Sequence, residues 1–316
     1  MSNVIVVLLT IVFLQNSVHA ADKIRIGFQG RAMQFMPLPL GGKRGFFQDE
    51  GLQAEFIQML PTVGRAAFVS GDIDYWTGFG STVAAALRGV PVKVVACYVL
   101  ANPNVLIARP EFKSVQELRG KTIGIDAFGG GQENIAKLIF KHFGLDPDKE
   151  VKFLVPGGME ARFASMKQGL TAAAMVAPPT DFLGKKMGFV VLARANELLS
   201  IPTSGLVASV KKIKEKPDEI KRVIKAGIKA NRYIRQNREG AIRFMMEWMR
   251  IDKEMAMATY EATWKIYNED GSAPEDGLRL IVEEAKKLAK VDREVSLSEV
   301  VDFSILRDAQ RELGIK

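Results

Sequence analysis

The chain has 316 residues, with 44 Lys+Arg against 36 Asp+Glu, 47% hydrophobic residues, two His and one Cys. That length and apolar content suit one large or two medium globular domains, and they exclude a disordered, collagen-like or coiled-coil chain. A single Cys excludes a disulfide scaffold and any multi-cysteine metal site, and two His leave little material for histidine-based metal or acid–base chemistry.

Residues 1–20 carry no Asp, Glu, Lys or Arg, and an apolar run from Val4 to Leu14 is followed by a polar stretch ending in Val18-His19-Ala20. The run is shorter than the ~20 apolar residues that span a bilayer. It fits the core of a secretory leader, with small residues before the cut. The sequence therefore predicts a signal peptide over 1–20, cleaved after Ala20, and a mature chain that is extracytoplasmic (periplasmic in a two-membrane cell).

The mature chain opens on Lys23–Phe28, an alternating β-branched strand. Gln29-Gly30-Arg31 follows as a polar turn. A helix is predicted near Leu40–Glu50 and stopped by Gly51. Next come a strand over Leu52–Ile57, a short helix over Thr62–Ser70, and a strand from Asp72 to Trp76. Gly78-Phe79-Gly80-Ser81-Thr82 reads as a loop into a helix over Val83–Arg88, and Val90–Val99 as a fourth strand. The alternation of strand and helix argues for a parallel α/β sheet.

The same grammar returns about a hundred residues on. Ser114–Glu117 reads as a capping box and Lys121–Asp126 as a strand. Phe128-Gly129-Gly130-Gly131-Gln132 forms a Gly-rich turn into a helix over Glu133–Phe143. A strand over Val151–Val155 leads to Gly157-Gly158 and a helix over Met159–Gln168. Strands over Ala172–Ala177 and Phe189–Leu192 flank Pro178-Pro179. Two similar units follow, the second set inside the first if Leu100–Ala108 carries the chain across and Ser200–Ser209 returns it. The predicted division is 22–99 with 210–316 for the first lobe and 100–209 for the second, hinged near 100–108 and 200–209.

Helices follow from Pro217 onward and near 240–250, 253–267, 275–290 and 299–313, with apolar stripes that predict packing on the first lobe. The stretch 211–238 holds eleven Lys or Arg and three Asp or Glu, which is the whole net charge of +8. Ile220, Val223, Ile224, Ile228 and Ile234 recur at helical spacing, with Lys221, Lys225 and Lys229 on another side. This predicts an amphipathic helix with a solvated basic face. Aromatic residues do not interleave regularly with the charges, so a nucleic-acid groove is not expected.

Four stretches resemble the NMT1/THI5-like substrate-binding proteins, the sulfonate-, nitrate- and thiamine-precursor-binding components of ABC importers. They are Gly45-Phe46-Phe47 with Glu50-Gly51-Leu52, Ser70–Asp74, Leu118–Gly124 and Gly144-Leu145-Asp146-Pro147. The likeness spans about 22–210. It implies a type II periplasmic-binding-protein fold: two α/β lobes, each a doubly wound sheet, closing on a small ligand, here with a helical C-terminal extension. It also implies an ABC permease of the inner membrane as partner, a monomer, no cofactor and no catalysis. The resemblance departs at Gly169–Ala173, where the second lobe lacks the family's acid, while the first keeps Asp74. The yeast-type pyrimidine synthase of this group uses a cysteine cluster and a reactive His that this chain lacks.

In open α/β sheets ligands sit beyond the C-terminal ends of the strands, where helix starts present free N–H groups and glycines let the backbone come close. That rule selects Gln29, Gly30, Arg31, Phe79, Gly80 and Ser81 in the first unit. In the second it selects Phe128, Gly129, Gly130, Gln132, Gly158 and Pro178. The occupant expected from it is a small organic anion: a sulfonate, a carboxylate, nitrate or a pyrimidine-like molecule. Gly129–Gly131 lacks the GK[ST] of a Walker loop. Arg31 suits a bidentate anion contact, whereas Arg162, inside a helix, reads as structural. Phe79 and Phe128 suit a planar guest or plain core. Cys97 reads as an inert core thiol. Two alternatives remain at this stage. One is an enzyme on the same fold, of the menaquinone-pathway dehydratase type. The other is the ligand-sensing lobe of a signalling receptor.

Overall fold

The structure, a computed structural model, describes residues 21–128 and 131–315; the expected leader and the expected ligand residues Gly129 and Gly130 lie outside them. Two five-stranded sheets carry the fold. The first opens with β1 (Asp22–Phe28), followed by α1 (Pro37–Lys43), β2 (Leu52–Gln58), α2 (Pro61–Ser70), β3 (Tyr75–Gly78), α3 (Phe79–Leu87) and β4 (Val92–Val99). The second holds β5 (Val105–Ala108), β6 (Thr122–Gly124), α4 (Gly131–His142), β7 (Lys152–Leu154), α5 (Met159–Lys167), β8 (Ala173–Val176), α6 (Thr180–Lys186) and β9 (Val190–Arg194). After α7 (Ala195–Leu198) the chain returns as β10 (Ser204–Ser209).

The strand orders are β2-β1-β3-β10-β4 and β7-β6-β8-β5-β9. In each sheet the fourth strand runs antiparallel to its neighbours, β10 to β3 and β4, β5 to β8 and β9. Both sheets are therefore mixed, not parallel as the alternation of elements predicts. Val105–Ala108 and Ser204–Ser209, expected as connecting segments, are these two strands. Ser204–Ser209 accordingly belongs to the first sheet, and the links between the sheets shrink to 100–104 and 199–203.

Helices cover both faces of each sheet, so the central strands are buried almost throughout and successive residues alternate between two packed faces. Along β10, Val207 joins Trp76, Phe79, Val94 and Cys97 on the face under α2 and α3. Leu206 and Ala208 join Ile24, Ile26 and Val95 on the other. In the second sheet Ile123, Ala173 and Met175 pack with Ile135, Ile139 and Phe140 of α4. Ile107, Ala174 and Val176 pack with Phe163 and Met166 of α5.

The remaining helices are α8 (Val210–Glu215), α9 (Pro217–Gln236), α10 (Arg238–Met249), α11 (Lys253–Thr263), α12 (Glu275–Ala289), α13 (Leu297–Val300) and α14 (Ser304–Glu312). They are stitched to the first sheet. The Cys97 N–H donates to the Gly271 carbonyl at 2.8 Å and the Leu100 N–H to the Ile266 carbonyl at 2.8 Å. The helix expected over 299–313 splits because Val301 runs alongside Val94, and the Asp302 N–H donates to the Val94 carbonyl at 2.9 Å. The helix expected over Leu40–Glu50 instead starts at Pro37, which suits a first turn, and ends before Gly45 at φ +83°.

The basic face of α9 is not simply solvated. Lys225 and Lys229 reach the buried Glu50 carboxylate at 2.8 and 2.6 Å, Lys221 and Lys225 reach Glu312 at 2.7 and 3.0 Å, and Arg222 reaches Asp22 at 2.6 Å. Acids distant in sequence therefore partner the charge.

Candidate functional site

A cavity of about 670 Å³ opens between the two sheets. The first sheet contributes Gln29, just past β1, and Gly78–Ser81, where β3 turns directly into α3. The second contributes Asn134, Ile135, Leu138 and Lys141 from α4 and Ala177 beyond β8. Both links line it, through Asn102–Asn104 and Ile201–Thr203, and α12 closes one side with Leu280, Ile281 and Ala285. Other depressions lie away from the strand ends. One, of about 470 Å³, sits beside Asn268–Pro274, and one of about 850 Å³ lies between α12 and Glu294–Glu299.

Local packing sets the first wall. A Cβ at Gly78 would run into Trp76 Nε1, 2.6 Å from Gln29 Nε2 and 3.0 Å from Ser81 Oγ, so only glycine lets these side chains converge. Gly205 likewise leaves room for the Ala96 carbonyl and Phe79, which is 1% exposed and lines the cavity. The stretch expected as a loop, Phe79–Thr82, is the first turn of α3. Its Ser81 and Thr82 hydroxyls donate back to the Gly78 carbonyl at 3.4 and 2.6 Å, and no side chain caps the helix. The N–H groups of that turn are left for an occupant, with the positive end of the helix behind them.

Of the sequence-selected residues, Gln29, Phe79, Gly80 and Ser81 line the cavity. Gly30, Arg31, Phe128, Gln132, Gly158 and Pro178 do not. Arg31 lies with its guanidinium 5.7 Å from the centre of the Trp248 ring, an attractive seat for a cation. Phe128 is 67% exposed. Gln132 accepts a hydrogen bond from Arg162 at 2.8 Å, and Arg162 also donates to the Met175 carbonyl at 2.8 Å. Burial lowers the pKa of that guanidinium, with Asp126 opposing the shift. Gly158 precedes α5 in extended backbone, and Pro178 joins Pro179 through a cis peptide one residue beyond Ala177.

Sequence reasoning expected the two links as hinges and a helix near 275–290, but selected none of their residues for the site. Their signal was faint: Asn102-Pro103-Asn104 is a polar triplet set among apolar residues, and α12 lies some 200 residues beyond α3.

The charges on the cavity wall are Lys141, Lys287, Glu283 and Glu284. Lys141, Lys287 and Glu283 are exposed, Glu284 is half-buried, and Lys287 pairs with Glu284 at 2.6 Å. Cys97 is fully buried, and its thiol is pushed up to about 12 by that burial. Asp74 braces the start of β3 by accepting from Lys212 at 2.6 Å and from the Arg25 N–H at 2.8 Å. Among the described residues, no group of three or more His, Cys, Asp or Glu could hold a metal ion, and no helix is long and apolar enough to cross a membrane.

Solved structures share this architecture. The periplasmic sulfonate-binding protein SsuA of a putative sulfonate ABC transporter from Methylobacillus flagellatus KT superposes with a TM-score of 0.77 at 16% identity, covering 95% of this chain and 97% of that one. The periplasmic nitrate-binding protein NrtA from Synechocystis PCC 6803 gives 0.72 at 14% identity, covering 93% and 89%. The periplasmic aliphatic sulphonate binding protein SsuA from Escherichia coli gives 0.70 at 18% identity, covering 89% and 92%. These likenesses establish the two-lobed periplasmic-binding-protein fold. No curated protein sequence matches the chain. The family model described as NMT1/THI5 like matches residues 32–241, two-thirds of the length and most of both sheets, and the chain therefore belongs to the NMT1/THI5-like family.

Proposed function

We propose that this chain is an extracytoplasmic solute-binding protein that captures a small organic molecule between its lobes and delivers it to an ABC importer of the inner membrane. The observation that carries the reading is the cavity. It lies where the strand ends of two separate sheets face each other, and only 100–104 and 199–203 connect the sheets in the chain. A guest touching both walls favours the closed form, and the closed form is what a membrane partner reads. The uncapped start of α3 supplies donors for an acid group or a carbonyl oxygen, in keeping with the sulfonate, carboxylate, nitrate or pyrimidine-like classes expected from the sequence. A site of this size and mixed lining is typical of small-molecule binding. Among the described residues, no nucleophile paired with a base lines the walls, which favours binding over catalysis.

The test is a titration of the purified protein with a panel of these classes, read by melting temperature and by small-angle scattering. The expected result is a higher melting temperature together with a smaller radius of gyration for at least one class. Substrate turnover by the isolated chain, or tight binding with no compaction, would overturn the reading.

A further inference from the structure

Within the reading of the cavity as a solute-binding cleft, its lining also specifies what kind of solute it takes. Asn104 stands in the link between β4 and β5 and is nine-tenths buried, 9% exposed. Its backbone is fixed from both sides: its N–H donates to Asn102 Oδ1 at 2.9 Å and its carbonyl accepts from the Ala195 N–H at 2.9 Å. Its carboxamide lines the cavity and makes no hydrogen bond to any described residue. Its polar atoms open on the cavity, so a guest that displaces the solvent there must replace the hydrogen bonds that solvent makes. The partner comes with the guest.

Three more carboxamides, Gln29, Gln34 and Asn134, line the same space without a hydrogen bond to a described residue. A carboxamide offers a donor and an acceptor together, whereas an anion can use only donors. Most of the nearby cations are engaged elsewhere. Arg31 lies over Trp248, Arg162 is held by Gln132 and the Met175 carbonyl, and Lys287 pairs with Glu284, while Lys141 lines the cavity as an exposed, well-hydrated ammonium. Between the amides the walls are apolar: Phe35, Phe79, Ile135, Leu138, Ile201 and Ile281. A compact inorganic anion, roughly the size of one or two waters at about 30 Å³ each, would leave most of the 670 Å³ to solvent.

We propose that the ligand is an uncharged molecule with an amide, lactam or ureide group on an apolar, ring-sized body, and that Asn104 reads that group through paired hydrogen bonds. The amide N–H of the guest donates to Asn104 Oδ1 and its carbonyl accepts from Asn104 Nδ2, while the apolar body packs on Phe79 and Ile135.

The probes are three molecules of one shape: benzamide, benzoate and benzenesulfonate. Each is titrated by calorimetry into the mature protein and into its Asn104→Leu and Asn104→Asp variants, and native mass spectrometry weighs any molecule that co-purifies. Benzamide should bind about tenfold more tightly than either anion, and Asn104→Leu and Asn104→Asp should each weaken it by about tenfold. Asn104→Leu should leave the melting temperature of the empty protein nearly unchanged, because the carboxamide makes no hydrogen bond to a described residue. Tighter binding of either anion than of benzamide, a co-purified sulfonate or carboxylate, or benzamide affinity indifferent to Asn104→Leu would overturn the proposal while leaving the solute-binding reading in place. Absence of binding by all three probes, with no co-purified mass, would overturn both.

Discussion

The first sheet has strands of four to eight residues with two helical layers around it, and its outer layer of α9, α10, α11 and α14 adds a second apolar cluster behind β1 and β10. The second sheet has the same order of parallel and antiparallel strands, but its strands are three to five residues long, and the cluster on its outer face holds only seven buried residues. Equal topology therefore comes with unequal mass. The lesson is that strand order sets where the cavity forms, while the depth of packing behind each wall sets how firmly that wall is held.

The largest effect should come from the heavy side. Leu206→Ala, at the centre of β10 and fully buried, removes a side chain from the cluster behind the first sheet. It should cost about 3–4 kcal/mol in denaturant unfolding. Hydrogen exchange in the native protein should show the amides of β4 and β10 as the slowest and those of β6 and β7 as faster. Equal protection in the two sheets would break the comparison.

Next comes Asn231→Ala. The Asn231 amide is buried in α9 and donates to the carbonyls of Tyr98 at 2.7 Å and Asn268 at 2.6 Å, tying the helical layer to β4. Losing both bonds should cost about 2 kcal/mol, read as a lower melting temperature with solute affinity unchanged.

Gly78→Ala tests the opposite behaviour on the cavity wall. The added methyl meets Trp76, Gln29 and Ser81. It should weaken solute binding by about tenfold and destabilise by about 1–2 kcal/mol. An unaltered dissociation constant would show that Gln29 and Ser81 do not converge on the guest.

The pH dependence is smaller. Hydrogen bonds from Lys221 and then Lys225 hold the Glu312 carboxyl below its ordinary value, so its contribution is present above the usual carboxylate range and fades as pH falls through it. The hydrogen bond to Glu50, aided by Glu312 and opposed by burial, raises the Lys225 pKa. That contribution is present below the ordinary lysine value and fades as pH rises through the raised one. Melting temperature should be flat between roughly pH 5 and pH 10 and fall outside it, this cluster supplying under about 1 kcal/mol at either limb. Glu50→Gln should flatten the alkaline limb.

The smallest effect is at the contact between the lobes away from the cavity. Lys186 of α6 pairs with Glu254 of α11 at 2.5 Å, with both side chains more than half exposed. Glu254→Gln should change stability by less than about 1 kcal/mol and only at low salt. A larger loss, or one that persists in high salt, would show that the light lobe leans on this pair.

The sequence made the parallel strands and most helices legible because each is a local pattern: β-branched alternation, a Gly stop, a Pro start. It hid β5 and β10. Val105–Ala108 is an uninterrupted apolar run between two predicted strands, and nothing local distinguishes a short buried strand from a link. Gln29 and Phe79–Ser81 were legible through the rule of strand ends. Arg31 and Gln132 obey the same rule and yet lie off the cavity, because Trp248 and Arg162 claim them; both partners are distant in sequence. The basic stretch failed in the same way, since Glu50 and Glu312 come from the far ends of the chain.

One wall of the cavity belongs to α12, which begins at Glu275, while the family signature ends at residue 241. The shared signature thus describes the frame of the receptacle and leaves out one of its panels. Substitutions in α12 can therefore reshape one side of the cavity without disturbing either sheet, and the shared signature by itself leaves that side unspecified.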